Sequence, residues 1–241
     1  MMKRNNFPFS AVLGLNHAKT AILVVLVNPR AGGLLISGPR GIGKSTLMRS
    51  TQELIERPWR DIPVSVTEDR LFGTIDTEKA IYSGQKKLYP GIINEADQGV
   101  LYLDDANLLR EDLLDSILNI AEVGAYQLER DGLSLRCDTS FTVIAAINPE
   151  SGMLSGACLD QFGLFVNVDN IHDENTRVEI LKRTISFEKD CASFCKLWKL
   201  ENEKIKKAIH SAMSLLPKVV VSSAMIQLAS VYALKAHVSG H

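Results

Sequence analysis

Apolar residues are not spread evenly along this chain. They gather first into short apolar-rich runs: Leu34–Ile36, Ile62–Val66, Val100–Leu103, Phe141–Ile147 and Leu164–Val168. Between the runs lie stretches in which they recur every three or four positions. Asn16–Val27 carries Ala18, Ala21, Ile22, Val25 and Leu26, and Leu108–Ala121 carries Leu109, Leu113, Leu114, Ile117, Leu118 and Ala121. A run without polar alternation is the mark of a strand covered on both faces, and a period near 3.6 is the mark of an amphipathic helix. Alternation of the two predicts an α/β fold, a parallel sheet flanked by helices. After about residue 172 the runs stop. Helical patterns follow over Glu174–Glu188, Glu201–Leu216 and Ser222–His237, with Pro217 separating the last two. The expected organisation is therefore an α/β core over 1–172 and a helical lid over 173–241.

One segment carries explicit chemistry. Gly38-Pro39-Arg40-Gly41-Ile42-Gly43-Lys44-Ser45 follows the first apolar run and opens a helical pattern containing Leu47, Met48 and Leu54. Glycines let backbone N–H groups wrap phosphates, a lysine at this spacing reaches the β- and γ-phosphates, and the following hydroxyl binds Mg²⁺. The helix that follows aims its positive end at the same anion. Gly38 through Ser45, with Thr46, form the candidate ATP-binding set, with Lys44 placed on an exposed loop. The third apolar run ends in Asp104-Asp105. Acids at the C-terminal end of a buried strand lie where open α/β sheets bind ligands, so Asp104 and Ser45 are the candidate Mg²⁺ ligands and Asp105 the candidate orienter of the attacking water. The fourth run ends in Asn148-Pro149, and Asn148 could contact the γ-phosphate or cap a turn before the proline.

Composition narrows the picture. The chain has 241 residues, 46% hydrophobic and 23% charged, with a net charge of −1. Such a balance offers no basic stripe for nucleic acid. Ala21–Val27 is far shorter than the roughly 20 apolar residues that span a bilayer, and Met1–Asn6 is basic without a following apolar stretch. A cytoplasmic protein with no membrane or nucleic-acid partner is expected. Cys191 and Cys195 are spaced to share a helix face, but no His or Cys cluster completes a metal site with them or with Cys137 and Cys158, so reduced thiols are expected.

With these motifs in order, the chain resembles AAA+ ATPases and, within them, the I subunit of magnesium chelatase. The likeness runs through Phe7–Gly14, Thr67–Asp76, Tyr89-Pro90-Gly91, Asp104–Leu109, Leu128–Gly132, Ile147–Glu150 and Leu159–Gly163, covering about residues 7–185. The resemblance implies a five-stranded parallel sheet, a helical lid, assembly into a homo- or hetero-oligomeric ring with a D-type subunit, and ATP hydrolysis that drives metal insertion into a tetrapyrrole. It also marks departures. The family has Asp-Glu where Asp104-Asp105 stand, one methylene longer at the second acid. It has an arginine finger where Gln161 stands, and Met153–Leu159 supplies none. A sensor arginine is missing near Ser222-Ser223-Ala224, and the stretch before Ile62 is short. His241 follows soon after a helical stretch, so the further domains of a D-type subunit are not expected.

Three functions stay open at this level. The chain is a chelatase-type motor, a weakly hydrolysing or regulatory ring subunit, or a chaperone-like ATPase that remodels a partner with a von Willebrand-type domain. An arginine finger contributes roughly 10³–10⁵ in rate. Nucleotide binding is therefore expected to persist, with slow turnover unless a cation such as Arg130 or Arg136, or a partner subunit, substitutes.

Overall fold

The computed structural model describes residues 6–75, 88–130 and 133–235. In chain order the first elements are α1 (Asn16–Val27), β1 (Leu34–Ser37), α2 (Lys44–Thr51), β2 (Trp59–Ile62), α3 (Glu68–Phe72), β3 (Gly73–Ile75), β4 (Leu88–Pro90) and α4 (Ile92–Glu95). Then come β5 (Val100–Leu103), α5 (Glu111–Val123), β6 (Ala125–Arg130), β7 (Leu133–Asp138), β8 (Thr142–Ile147), α6 (Gly156–Asp160) and β9 (Leu164–Asn167). Helices α7 (Glu174–Lys189), α8 (Cys191–Leu215) and α9 (Ser223–Lys235) close the chain. The central sheet has five strands in the order β2-β5-β8-β1-β9, all parallel, as the apolar runs imply. Two antiparallel hairpins, β3–β4 and β6–β7, stand outside it.

The sheet sorts its side chains by alternation, because successive residues of a strand point to opposite faces. Leu35, Leu101, Leu103, Val143 and Ala145 share one face with Leu113, Leu114 and Ile117 of α5. Leu34, Ile36, Val100, Tyr102, Ile144 and Ala146 share the other with Ile22 and Val25 of α1 and Leu47 and Met48 of α2. All six residues of β8 are buried, which is why its sequence is apolar apart from Thr142.

Three boundaries differ from the sequence pattern. The second strand is Trp59–Ile62, not Ile62–Val66. It is an edge strand pairing only with β5, and Arg60 and Asp61 face solvent, so it has no apolar run to show. Helix α5 spans Glu111–Val123, with Ala106–Leu108 forming a separate 3₁₀ turn. Helix α8 begins at Cys191, ten residues before the expected Glu201, capped by the Asp190 carboxylate accepting from the Ser193 N–H at 3.0 Å. Its first turns carry Cys191, Phe194, Cys195 and Trp198 at helical spacing, Phe194 buried and the others half-buried, so the apolar stripe extends to the start of the helix. Further along, Ile209 enters the core beneath α1, and Asn202 Oδ1 accepts from the Ser10 N–H at 3.0 Å. Helix α9 buries no residue. Asp76, Asp131, Gly132, the Arg130 side chain and the end of the Ser222–His237 pattern lie outside the described residues.

Candidate functional site

Strand order makes the site. β1 lies between β8 and β9, and the C-terminal ends of β1, β5 and β8 come level through the pairings Ser37↔Ile147 and Leu103↔Ala145. Ligands of open α/β sheets bind at these ends. The loop 38–43 leaves Ser37 here. Gly38 N–H donates to Ile147 O at 3.2 Å, and a Cβ on Gly38 would meet Val168 Cγ2 at 2.5 Å, so a side chain is excluded by close approach. Gly43 turns the chain into α2 at φ 94°, a left-handed conformation that glycine adopts without strain. The first N–H groups of α2 have no partner within the helix and face the same concavity.

Lys44 is 7% exposed rather than lying on an exposed loop. Its Nζ donates to Gly38 O at 2.5 Å and Pro39 O at 2.8 Å, which holds the amine inside the curve of the loop. Burial holds its pKa below the ordinary lysine value, opposed by the charges of Asp105 and Asp104. Ser45 Oγ donates to Asp104 Oδ2 at 2.9 Å across 59 residues of sequence. The other carboxylate oxygen, Oδ1, accepts from the Tyr102 hydroxyl at 2.9 Å. Burial, and then the Asp104 charge, push the Tyr102 phenol above its ordinary pKa. A hydroxyl and a carboxylate are hard oxygen donors of the kind Mg²⁺ prefers, and they stand beside a lysine and a helix N-terminus that suit phosphate. The residues present therefore fit a magnesium nucleotide.

Asp105 follows in the left-handed region at φ 51°. Asn107 Nδ2 then donates to Asn148 O at 3.3 Å and Gly152 O at 3.0 Å, tying the turn after β5 to the turn after β8. Asn148 is 2% exposed. Its Oδ1 accepts from the Glu150 N–H at 3.2 Å and its Nδ2 donates to Ser151 Oγ at 3.2 Å, so in this structure it caps the turn. Arg40 is exposed at the loop tip, and Thr46 faces a cavity of about 700 Å³ beside the loop. Val12, Leu13, Ile42, Ile171 and Ile180 give that cavity an apolar lining, and Arg177 of α7 adds a cation. Its size and lining suit a small organic ligand, here a nucleotide base and ribose. Arg183 NH1, which donates to Ala11 O at 3.0 Å, and the Phe7–Phe187 ring contact at 5.1 Å join the N-terminal wall to α7. Tyr102, Asn107 and the α7 wall are not in the set read from sequence. Tyr102 alone had a signal, two residues before Asp104 at the end of the third apolar run.

A family model described as an AAA domain (dynein-related subfamily) matches residues 33–161. The magnesium-chelatase 38 kDa subunit of Chlorobaculum tepidum is 33% identical, over 98% of this chain and 70% of that protein. The 38 kDa subunit of Rhodobacter capsulatus is 35% identical, over 88% of this chain and 70% of its own length. This chain belongs to the magnesium-chelatase ATPase-subunit family. The Methanocaldococcus jannaschii magnesium-chelatase subunit ChlI homolog is a further member, 33% identical over 95% of this chain and 73% of that one. A solved chain from the complex between subunits BchI and BchD of magnesium chelatase superposes with a TM-score of 0.66 at 35% identity, covering 89% of this chain and 77% of that one. The protein is thus an ATPase of the chelatase type.

Within that family frame, the position expected to carry a finger is modest. Gln161 ends α6, half-buried, its Nε2 donating to Ala157 O at 3.5 Å. Arg136 is exposed and pairs with Asp138 at 3.0 Å. Among the described residues no single helix is long and apolar enough to cross a membrane, no group of three or more His, Cys, Asp or Glu is placed to hold a metal ion, and no disulfide joins the four cysteines.

Proposed function

We propose that the chain binds Mg-ATP at the loop 38–45 and acts as the nucleotide-driven member of a chelatase-type ring, coupling hydrolysis to metal insertion into a tetrapyrrole by partner subunits. The observation that carries the reading is the Ser45–Asp104 contact beside Lys44, which brings two sequence-distant parts of a magnesium-nucleotide site together. Loop N–H groups and Lys44 hold the β- and γ-phosphates. Ser45 and Asp104 hold the ion, which when bound neutralises charge on the transferring phosphate. Asp105 orients the attacking water, and Asn148, whose amide caps the turn after β8, would reach the γ-phosphate only on leaving that cap. Residues 173–241 serve as a lid, with α7 walling the base. The relatives' names support the chelatase assignment, and the BchI–BchD neighbour supports a D-type partner.

Gln161 favours a second reading, in which hydrolysis depends on a different subunit. An uncharged donor stabilises the charge that develops on the phosphate less than an arginine does. Phosphate release by the purified chain over a range of concentrations, with and without a D-type subunit, separates the two. Fast turnover alone supports the self-contained motor; turnover only with the partner supports the mixed ring. No nucleotide binding under either condition sinks both.

A further inference from the structure

We infer that Tyr102 is a positioning residue that sets the affinity for Mg²⁺ by fixing the Asp104 carboxylate. This rests on Asp104 being the Mg²⁺ acid. Tyr102 lies in β5 with its ring on the α2 side of the sheet, and Asp104 is the first residue after the strand, its carboxylate held against Tyr102 and against Ser45 of α2. The ring is 4% exposed, packed in the same cluster as Leu47 and Met48 of α2 and 5.9 Å from the Trp59 ring. Its hydroxyl is thereby carried on a rigid frame to Oδ1 at 2.9 Å, while Ser45 takes Oδ2 at 2.9 Å. With both oxygens engaged, the carboxylate cannot rotate, and Oδ2 is left directed at Ser45 and the ion. Simple packing would be served equally by phenylalanine. A buried hydroxyl carries a desolvation cost that only a good hydrogen bond offsets, and a carboxylate is the strongest acceptor on offer.

The test measures fluorescent ADP analogue binding against Mg²⁺ concentration for the wild type, Tyr102→Phe, Asp104→Asn and the double variant, with a parallel series in EDTA and a melting curve for each. In Tyr102→Phe the Mg²⁺ concentration at half-effect should rise about tenfold, the scale of one hydrogen bond to a charged group, while affinity in EDTA stays unchanged. In the Asp104→Asn background Tyr102→Phe should add nothing to the Mg²⁺ dependence, because its partner is gone. An unchanged Mg²⁺ midpoint in Tyr102→Phe, or an equal loss with and without Mg²⁺, overturns the inference. If Asp104→Asn itself leaves the Mg²⁺ dependence intact, it is the underlying assignment of Asp104 that fails. Should Tyr102→Phe melt too low to assay, the melting temperatures of the four proteins still form a cycle, and additive losses count against the coupling.

Discussion

At the end of the sheet, Lys44, Ser45, Tyr102 and Asp104 close on one another and on the loop through hydrogen bonds of 2.5 to 2.9 Å. At the end of α6, Gln161 holds a single backbone carbonyl at 3.5 Å and brings no charge. The first region is built from strand ends that neighbouring strands fix on both sides, so its geometry belongs to this chain alone. The second stands on a five-residue helix at the surface, and its chemistry depends on what it meets. The contrast separates two properties that a motif search joins: binding a nucleotide and turning it over. In the proposed reading, binding needs only this chain, and fast turnover needs a cation that this chain does not place at Gln161.

The largest effects should come from breaking the complete side. Lys44→Ala removes the charge that faces the β- and γ-phosphates and should lower ATP affinity below detection in a fluorescent-analogue titration, with the melting temperature little changed, since Gly38 and Pro39 carbonyls at a loop can turn to water. Full-strength binding by the variant would mean that the loop is not the site. Next, Asp105→Asn should keep the fold and nucleotide affinity, because asparagine also tolerates the left-handed backbone, yet lower partner-stimulated phosphate release by about 10². An undiminished rate would remove Asp105 from the water. The third change repairs the other side. Gln161→Arg should raise phosphate release about tenfold or more, and the gain should grow with protein concentration because the arginine acts across an interface. A concentration-independent gain, or none where a D-type subunit still stimulates, would place the missing cation elsewhere.

Much of the fold was legible because its central strands are buried on both faces. β1, β5 and β8 appear as apolar-rich runs, β9 shows Leu164-Phe165-Val166 although it is a half-exposed edge strand, and α1 matches its periodic stretch end to end. What escaped was held by other forces. β2 sits at an edge with Arg60 bonded to Glu95 at 2.8 Å, and the start of α8 is set by the Asp190 cap. The site shows the same division. Gly38–Ser45 and Asp104 follow from spacing, because phosphate and Mg²⁺ demand those residue types in that order. The burial of Lys44, the cap made by Asn148 and the Tyr102 contact depend on side-chain packing across the sheet, which spacing does not record.

The smallest expected effect is also the sharpest test of how far the complete side is adapted to itself. The resemblance implies a glutamate where Asp105 stands, so on reach alone Asp105→Glu should bring the carboxylate nearer the water and raise turnover. The backbone argues the other way. Asp105 lies at φ 51° and ψ 49°, a region that aspartate and asparagine enter far more readily than glutamate, because their short polar side chains bond locally. Moving glutamate there should cost about 1 kcal/mol of stability. For a chain of this length that is a fall of about 2–4 °C in melting temperature. The alternative is for the turn to relax out of the left-handed region, which would drag Asn107 from Asn148 O and Gly152 O and loosen the link between the turns after β5 and β8. Either course predicts a lower melting temperature with turnover unchanged or slightly reduced. A rise in turnover without loss of stability would show that reach, and not the turn, limits the reaction.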